Sequence, residues 1–277
     1  MAPLKSVIPL FTDNHPQTER PQVMAKKRRI LTPTEQGAAL IDLVIDRVRA
    51  DPTAIAGFCG DRPLQGPEPL GAETLERLTF PSGRPLPPSL LRWLAFDASW
   101  LRELGWFASD GELRFTPRPL HEVVRDEFDG PLGELGEGVA NIYQSMWGEF
   151  YAPIGQWLPE CFLLPGGSDS RRIYAVTDQP DSLGEYPVLV IDTDDIPFLG
   201  VMYPGFDVFM GDEAGLCQLD FPTYEGLFDD NRYAARLNEH ARHLLGGKQS
   251  IEMYDEEWGA PDENNLEDDE IEGSHGA

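Results

Sequence analysis

Basic side chains are scarce in this chain of 277 residues. It has 22 Lys and Arg against 48 Asp and Glu, a formal net charge of −26 at pH 7. A chain this acidic repels nucleic acids and anionic membranes, and it attracts basic proteins over a Debye length of roughly 8 Å at physiological salt. The charge therefore excludes nucleic acid and membrane as expected partners and favours a basic protein surface. The same acidity also suits simple solubility or a salt-rich habitat, and composition leaves both explanations open.

Cysteines and long apolar runs are also few. Cys59, Cys161 and Cys217 are widely spaced and form no CxxC motif, so neither a disulfide framework nor a zinc site is indicated, and buried free thiols are expected. No run of about 18 apolar residues is long enough to span a bilayer, and the apolar stretch 7–11 is too short and too interrupted for a secretory signal. We therefore expect a cytoplasmic protein.

Charge is distributed unevenly along the chain. Residues 1–30 carry six basic and two acidic side chains, whereas residues 248–277 carry one lysine and eleven acids. The 217 residues between them have fifteen basic and thirty-five acidic side chains, a net charge of −20. The sequence predicts a flexible basic lead at 1–30, a folded domain at 31–247 and an acidic disordered tail at 248–277.

The first half of the chain shows the 3.6-residue spacing of amphipathic helices. The apolar residues of its first helical segment share one face: Leu40, Ile41, Val44, Ile45 and Val48. Thr32, Pro33 and Glu35 form a capping-box pattern that predicts a helix start at Pro33, and Asp51-Pro52 ends the helix. Further short helices are predicted at 72–78, 86–94 and 120–128, while 100–106 fits a helix end or a strand.

The second half changes to strand patterns. Short apolar or alternating runs separated by turn-forming residues lie at 161–164, 172–177, 186–191 and 198–203. The run 186–191 is apolar throughout, which predicts a central strand covered on both faces. Helical segments follow at 206–210 and 233–244. Helices followed by consecutive strands predict an α+β fold, with a mostly antiparallel sheet packed against several helices in a single main domain.

Two groups of segments carry a family resemblance. The first is the sequence Leu86-Pro87-Pro88-Ser89-Leu90-Leu91-Arg92-Trp93-Leu94, in which a Leu-Pro pair opens a helix. The second is the ordered series 158–164, Gly166-Gly167, 173–176, Tyr186-Pro187-Val188 with the acidic turn 192–195, and 206–209. Together, over residues 31–216, these segments resemble the SUKH superfamily. The chain departs from the family pattern in two ways. No Gly-rich turn follows the early helix, and residues 131–157 are interpreted as an insertion.

Most bacterial SUKH members are intracellular immunity proteins that neutralise toxins of polymorphic toxin systems. The resemblance therefore implies an α+β fold and a binding role, and it carries no catalytic residues to this chain. The sequence also lacks a phosphate loop, a nucleophile elbow and a nucleotide-binding fingerprint. We predict no enzymatic activity and no cofactor.

Alternative chemistries rest on few residues. His240 and His243 lie three apart on the last predicted helix, but Arg242 between them opposes a cation, so surface histidines are favoured over a metal site. The three aspartates of the turn 192–195 suit Mg²⁺ or Ca²⁺, yet they lack the glycine and spaced glutamate of a calcium loop. A hydrolase that combines this turn with His121 or His240 is a further alternative.

Acidic residues alternate with aromatic residues after the central strand, an arrangement suited to recognition. Charges steer a basic partner, and buried rings supply affinity. The predicted partner-binding residues are Asp192, Asp194, Asp195, Tyr203, Asp207, Asp212, Glu213, Glu225, Asp229 and Asp230. Because carboxylates are rarely buried, we expect these acids to be largely exposed. Phe206 and Phe209, at helical spacing, are expected in the core.

These observations predict an immunity protein that binds a cognate, intracellularly acting toxin and occludes the toxin's active site with an acidic surface. The toxin domain is expected to be basic, with a nuclease or an ADP-ribosyltransferase as natural candidates. The alternative is an intracellular regulatory or scaffold protein that binds a basic protein partner through its tails. The two differ in which part of the chain recognises the partner.

Overall fold

The structure is a computed structural model that describes residues 34–60, 62–129, 143–165, 170–192, 196–217 and 226–254. Within these ranges, eight α-helices and one five-stranded antiparallel sheet form an α+β fold, which confirms the predicted fold class. The helices are α1 (Ala38–Ala50), α2 (Ala72–Arg77), α3 (Pro88–Leu94), α4 (Ser99–Glu103), α5 (Leu120–Asp129), α6 (Gly148–Trp157), α7 (Phe206–Glu213) and α8 (Ala234–Leu244). The strands are β1 (Cys161–Leu164), β2 (Ser170–Ala175), β3 (Val188–Asp192), β4 (Phe198–Tyr203) and β5 (Ser250–Glu252).

The sheet is an antiparallel meander in which spatial order follows chain order, from β1 to β5. Strand β3 lies at the centre, and its residues 188–191 are fully buried. This burial confirms the prediction of a strand covered on both faces. A register shift between Val188 and Leu189 interrupts the pairing of β3 with β4.

Helices cover both faces of the sheet. On one face, Tyr174 of β2 contacts Phe206 of α7, and Trp106 stacks on Phe162 of β1 with ring centroids 4.4 Å apart. Because directly opposed residues of an antiparallel pair share a face, Leu189 of β3 faces the other side. There Leu189 lines a cavity together with residues of α6 and α8. The core is therefore three layers deep around the sheet.

Helix α1 begins later than the capping-box pattern predicts. Its first residue is Ala38, Glu35 lies before the helix, and Thr32 and Pro33 lie outside the described residues. The carboxylate of Asp207 accepts the backbone N–H of Gly37 at 2.6 Å, so an acid 170 positions away caps the helix. The local prediction of the start was wrong because a tertiary partner satisfies this helix end.

The predicted boundary of the tail also changes. Strand β5 lies inside the segment expected to be tail, because Ile251 is fully buried and β5 pairs with β4. Three residues are too few to show a strand pattern in the sequence. The described part of the expected insertion belongs to the core, since Trp147 and Tyr151 are buried and a π-helical turn (Tyr143–Trp147) leads directly into α6.

Two smaller expectations have clear outcomes. The segment that fitted a helix end or a strand forms α4, which begins at Ser99. The three cysteines are buried and free, as predicted. No described helix is long and apolar enough to cross a membrane.

Candidate functional site

A buried ionic network lies where β4 ends and α7 begins. Arg236 of α8 donates hydrogen bonds from Nη1 and Nη2 to the two carboxylate oxygens of Asp207, at 2.9 and 3.1 Å. Its Nε donates to Asp181 in the loop between β2 and β3. All three residues are buried. One guanidinium thus joins α8, α7 and the loop, and it is the shared counter-charge of both buried carboxylates.

A third carboxylate belongs to the same region. Glu185 is fully buried, and it accepts hydrogen bonds from the backbone N–H of Ser89 at 2.9 Å and from the Ser89 hydroxyl. Burial, together with the nearby charge of Asp207, raises the pKa of Glu185 to about 8. At neutral pH this side chain is therefore mainly protonated. It anchors the start of α3 to the loop before β3.

His240 closes the network from α8. Its Nε2 lies 2.9 Å from the carbonyl oxygen of Pro204 and 3.8 Å from Asp181 Oδ2, and its ring is buried. A carbonyl oxygen can only accept a hydrogen bond, so Nε2 carries the hydrogen and donates it to Pro204. His243, one turn further on, is exposed. Among the described residues, no group of three or more His, Cys, Asp or Glu side chains is placed to hold a metal ion.

The expectation of exposed carboxylates is therefore wrong for Asp207. A carboxylate is tolerated in the interior when a cation and hydrogen bonds replace its hydration, and Arg236 and Gly37 provide both. No local pattern in the sequence signals this pairing, because Asp207 and Arg236 are 29 positions apart. Asp207 is a structural residue that holds three elements together.

Three of the predicted residues do meet at one place. The hydroxyl of Tyr203 donates to Asp212 Oδ2 at 2.6 Å, and Arg172 of β2 lies 3.5 Å from Glu213. Tyr203 is fully buried, while Asp212 and Glu213 are half-buried at the end of α7. We call Arg172, Tyr203, Asp212 and Glu213 the Arg172 cluster. Arg172 was not among the predicted residues, and its signal in the sequence is weak because it is one of two adjacent arginines in β2.

Burial dominates the electrostatics of the Arg172 cluster. It raises the pKa values of Asp212 and Glu213, although the hydrogen bond from Tyr203 favours ionised Asp212 and the charge of Arg172 opposes the rise at both acids. The pKa of Tyr203 is raised well above its ordinary value, by burial and then by the charge of Asp212. One guanidinium between two carboxylates leaves a local excess of negative charge. These acids are engaged inside the protein and are less available to a partner than expected.

The remaining predicted residues differ in exposure. Asp229 is exposed, whereas Asp230 is held by Arg232, whose Nε lies 2.9 Å from Oδ1 and 3.1 Å from Oδ2. Asp192 is half-buried at the end of β3. Asp194, Asp195 and Glu225 lie outside the described residues. Of the named acids that the structure describes, Asp229 is the one with an exposed side chain and no described ion pair.

Negative charge dominates the rest of the described surface. The described ranges contain 28 acidic and 16 basic side chains, and at least thirteen of the basic ones lie in ion pairs with carboxylates. Exposed acids without a described ion pair are spread over several elements: Glu35, Glu76, Glu149, Asp229 and Glu252. Few positive groups are left to offset them. The described part thus presents an acidic surface with little free positive charge.

Comparisons with known proteins give little further information. No family model matches this chain, and no curated protein matches it. The crystal structure of an uncharacterized protein from Salmonella enterica subsp. enterica serovar typhimurium str. 14028s is similar at a TM-score of 0.43 and 14% identity. That similarity covers 76% of this chain and 94% of the other. A TM-score this low does not establish a shared fold.

Proposed function

We propose that this chain is a cytoplasmic, non-enzymatic binding protein that neutralises a basic toxin domain by covering its active site. The observation that supports the proposal is the charge balance of the surface. At least thirteen described basic side chains are already paired with carboxylates, yet acids still outnumber bases by 28 to 16. An excess of this kind attracts a basic surface and repels nucleic acid. The sequence resemblance to immunity proteins points the same way.

The buried acids support binding over catalysis. Asp181, Glu185 and Asp207 are buried carboxyl groups, a setting that is also found at catalytic sites. In this protein, however, each is held by Arg236 or Ser89 within the core, where a substrate has no access. Their role is to fix the position of α3, α7 and α8 behind the acidic surface.

The direct test is a titration against a basic toxin domain encoded beside the gene of this chain. We expect a stoichiometric complex that protects cells from the toxin and an association rate constant that falls steeply as salt is added. Removing five surface charges together (Glu35, Glu76, Glu149, Asp229 and Glu252, each to Gln) is expected to slow association and to flatten the salt dependence. Absence of a complex, or an association rate insensitive to salt, contradicts the proposal.

A truncation separates this function from that of a tail-driven scaffold. Residues 1–30 and 255–277 are removed, and the new end follows Tyr254 so that β5 is retained. An immunity protein of the proposed kind still protects with residues 31–254. A scaffold that binds through its tails loses its partner.

A further inference from the structure

The sheet has two edge strands, β1 and β5, and other segments of the chain cover the outer edge of β1. The backbone N–H of Cys161 donates to the carbonyl of Arg118 at 2.8 Å, and the N–H of Arg118 donates back at 3.0 Å. The carbonyl of Leu163 accepts a hydrogen bond from the indole N–H of Trp106 at 3.0 Å. Backbone groups of both outward-facing residues of β1 therefore have partners inside the protein.

The outer edge of β5 is open within the part of the chain that the structure describes. Gln249 and Met253 form backbone hydrogen bonds on the β4 side of the sheet, at 3.1 and 3.0 Å. Because backbone direction alternates along an antiparallel strand, Ser250 and Glu252 direct their N–H and C=O groups away from β4. Among the described residues, nothing bonds to these outward groups. We call the outward backbone groups of Ser250 and Glu252 the β5 edge.

An open strand edge specifies the shape of what can bind it. Each outward N–H and C=O can pair with the backbone of an extended segment, so the edge acts as a template for one more strand. Proteins usually cover such edges, as this fold does at β1. The β5 edge is therefore suited to an extended segment of a partner.

Two exposed apolar side chains lie at one end of the β5 edge. Tyr254, which follows Met253, is 66% exposed, and Ile196, which precedes Pro197, is 42% exposed. The hydrogen bond from the N–H of Met253 to the carbonyl of Pro197 holds the two chain segments together at this end. An added strand covers apolar surface here while it pairs with the backbone groups of the edge.

Charge decides between a basic partner and a second copy of this chain. Glu252 is exposed on the β5 edge, and residues 255–257 of the sequence are all acidic. Lys248 is the one basic residue in the segment 248–257. Two copies with a net charge of −26 each repel one another, and like charges opposite each other on paired strands are destabilising. A segment rich in Lys and Arg meets complementary charge instead.

We propose that the basic toxin domain adds an extended segment to the β5 edge as a further strand of the sheet. Backbone pairing with Ser250 and Glu252 supplies affinity, and basic side chains beside the Glu252 carboxylate select a basic segment over an acidic one. An apolar side chain of the segment covers Tyr254 and Ile196. This inference rests on the proposed function and names the point of contact.

Amide hydrogen exchange, followed by NMR on the full-length protein, tests the proposal directly. In the free protein, the amides of Ile251 and Met253 bond to the β4 side and should exchange slowly, whereas those of Ser250 and Glu252 should exchange quickly. In the complex with the toxin domain, we expect exchange at Ser250 and Glu252 to slow about tenfold or more. Unchanged exchange at both positions in a saturated complex overturns the inference.

Two matched pairs of variants test the edge by affinity. Ser250→Pro and Glu252→Pro remove outward N–H groups and keep the hydrogen bonds to the β4 side, because proline is tolerated where its nitrogen faces away from the sheet. Ser250→Ala and Glu252→Gln alter the same side chains and keep the N–H groups. Each proline variant should bind the toxin domain about tenfold or more weakly than its control, a factor worth about 1.4 kcal/mol.

Equal affinity of the proline variants and their controls contradicts the proposal. Urea unfolding of all the variants shows whether the fold is retained. If a proline variant does not fold, the exchange measurement on the wild-type complex decides.

A pair of synthetic peptides tests the edge without the toxin domain. A blocked hexapeptide of alternating Lys and Val is expected to shift the NMR signals of residues 196–199 and 249–254. The same peptide with Glu in place of Lys is expected to bind much more weakly. Shifts elsewhere only, or equal binding of the two peptides, overturns the inference of a basic strand.

The outcomes separate the two proposals. If the toxin domain binds and the amides of Ser250 and Glu252 stay unprotected, the edge inference fails while the proposed function stands. If no basic toxin domain binds, the proposed function fails, and the two peptides alone decide whether the β5 edge accepts a basic strand.

Discussion

Gly205 lies directly against Arg236. A β-carbon at position 205 would come within 2.8 Å of Arg236 Nη2 and within 2.6 Å of Asp207 Oδ1. The φ angle of Gly205 is −176°, an extended value open to any residue. The position therefore requires the absence of a side chain, because the buried ion pair occupies the space.

Replacing Gly205 with alanine is expected to destabilise the protein by about 1–3 kcal/mol, the usual cost of inserting an atom into a filled interior. The free energy of unfolding in urea measures the effect. Gly66→Ala serves as the control because a β-carbon there meets nothing within 4 Å, and its effect should stay within about 0.5 kcal/mol. Equal stability of the two variants would show that the network tolerates the extra atom.

Breaking the buried pair itself is expected to cost more. Asp207→Asn removes the carboxylate that Arg236 contacts through both oxygens and leaves Asp181 as the remaining buried counter-charge. Loss of one partner from a buried pair typically costs about 3–5 kcal/mol, and the remaining carboxylate places this loss toward the lower end of that range. Asp230→Asn breaks the more exposed pair with Arg232 and should cost about 0–1 kcal/mol. Urea unfolding of both variants gives the comparison. A loss at Asp207 as small as that at Asp230 would refute a structural role for the network.

The raised pKa of Glu185 predicts a dependence of stability on pH. In the folded protein the pKa is about 8, whereas an unfolded glutamate titrates near 4.5. Between these values the folded state holds a proton that the unfolded state releases, so the contribution of Glu185 is fully present below the lower pKa. It is lost as the pH rises through the upper one. The unfolding free energy should therefore decline from about pH 5 to pH 8 through this group.

Glu185→Gln isolates that contribution because glutamine does not ionise. The difference in unfolding free energy between the variant and the wild type should shift in favour of the variant as the pH rises over the same interval. Urea unfolding at a series of pH values measures both proteins. Parallel curves across the interval would mean that Glu185 does not titrate there.

The three thiols are expected to resist alkylation in the folded state. Burial raises the pKa of Cys59 to about 12 and that of Cys217 to about 11, and it raises the pKa of Cys161 as well. The thiolate is the reactive form, and all three side chains are shielded from solvent. Iodoacetamide labelling, followed by mass spectrometry, should therefore modify all three only when urea unfolds the protein. Rapid labelling of one cysteine in buffer would reveal local opening around it.

Much of the secondary structure could be predicted from the sequence. Residues 40–48 have the spacing of one helical face and form the buried side of α1, and the apolar run 186–191 includes four of the five residues of the central strand β3. These elements are encoded locally, since the period of apolar residues follows from helix and strand geometry. A strand of three residues such as β5 has too few residues to show a period, so its pairing with β4 was not predictable.

The arrangement of the candidate site could not be predicted, because it depends on contacts between residues that are far apart in the sequence. The sequence predicted that Asp207, Asp212 and Glu213 lie on an exposed binding surface. In the structure, Asp207 is buried and paired with Arg236. Asp212 accepts a hydrogen bond from Tyr203, and Glu213 lies beside Arg172. Such outcomes depend on which cation the fold brings to each acid.

The sequence by itself determined the helices and strands, the α+β class and the excess of negative charge, because each depends on composition or on spacing along the chain. Only the tertiary structure decided which carboxylates are neutralised. Asp181 and Arg236 are separated by 55 positions and meet only once α8 has docked beside the loop after β2. A buried charge is stable only when a partner of opposite charge lies beside it, and the fold decides which distant residue becomes that partner.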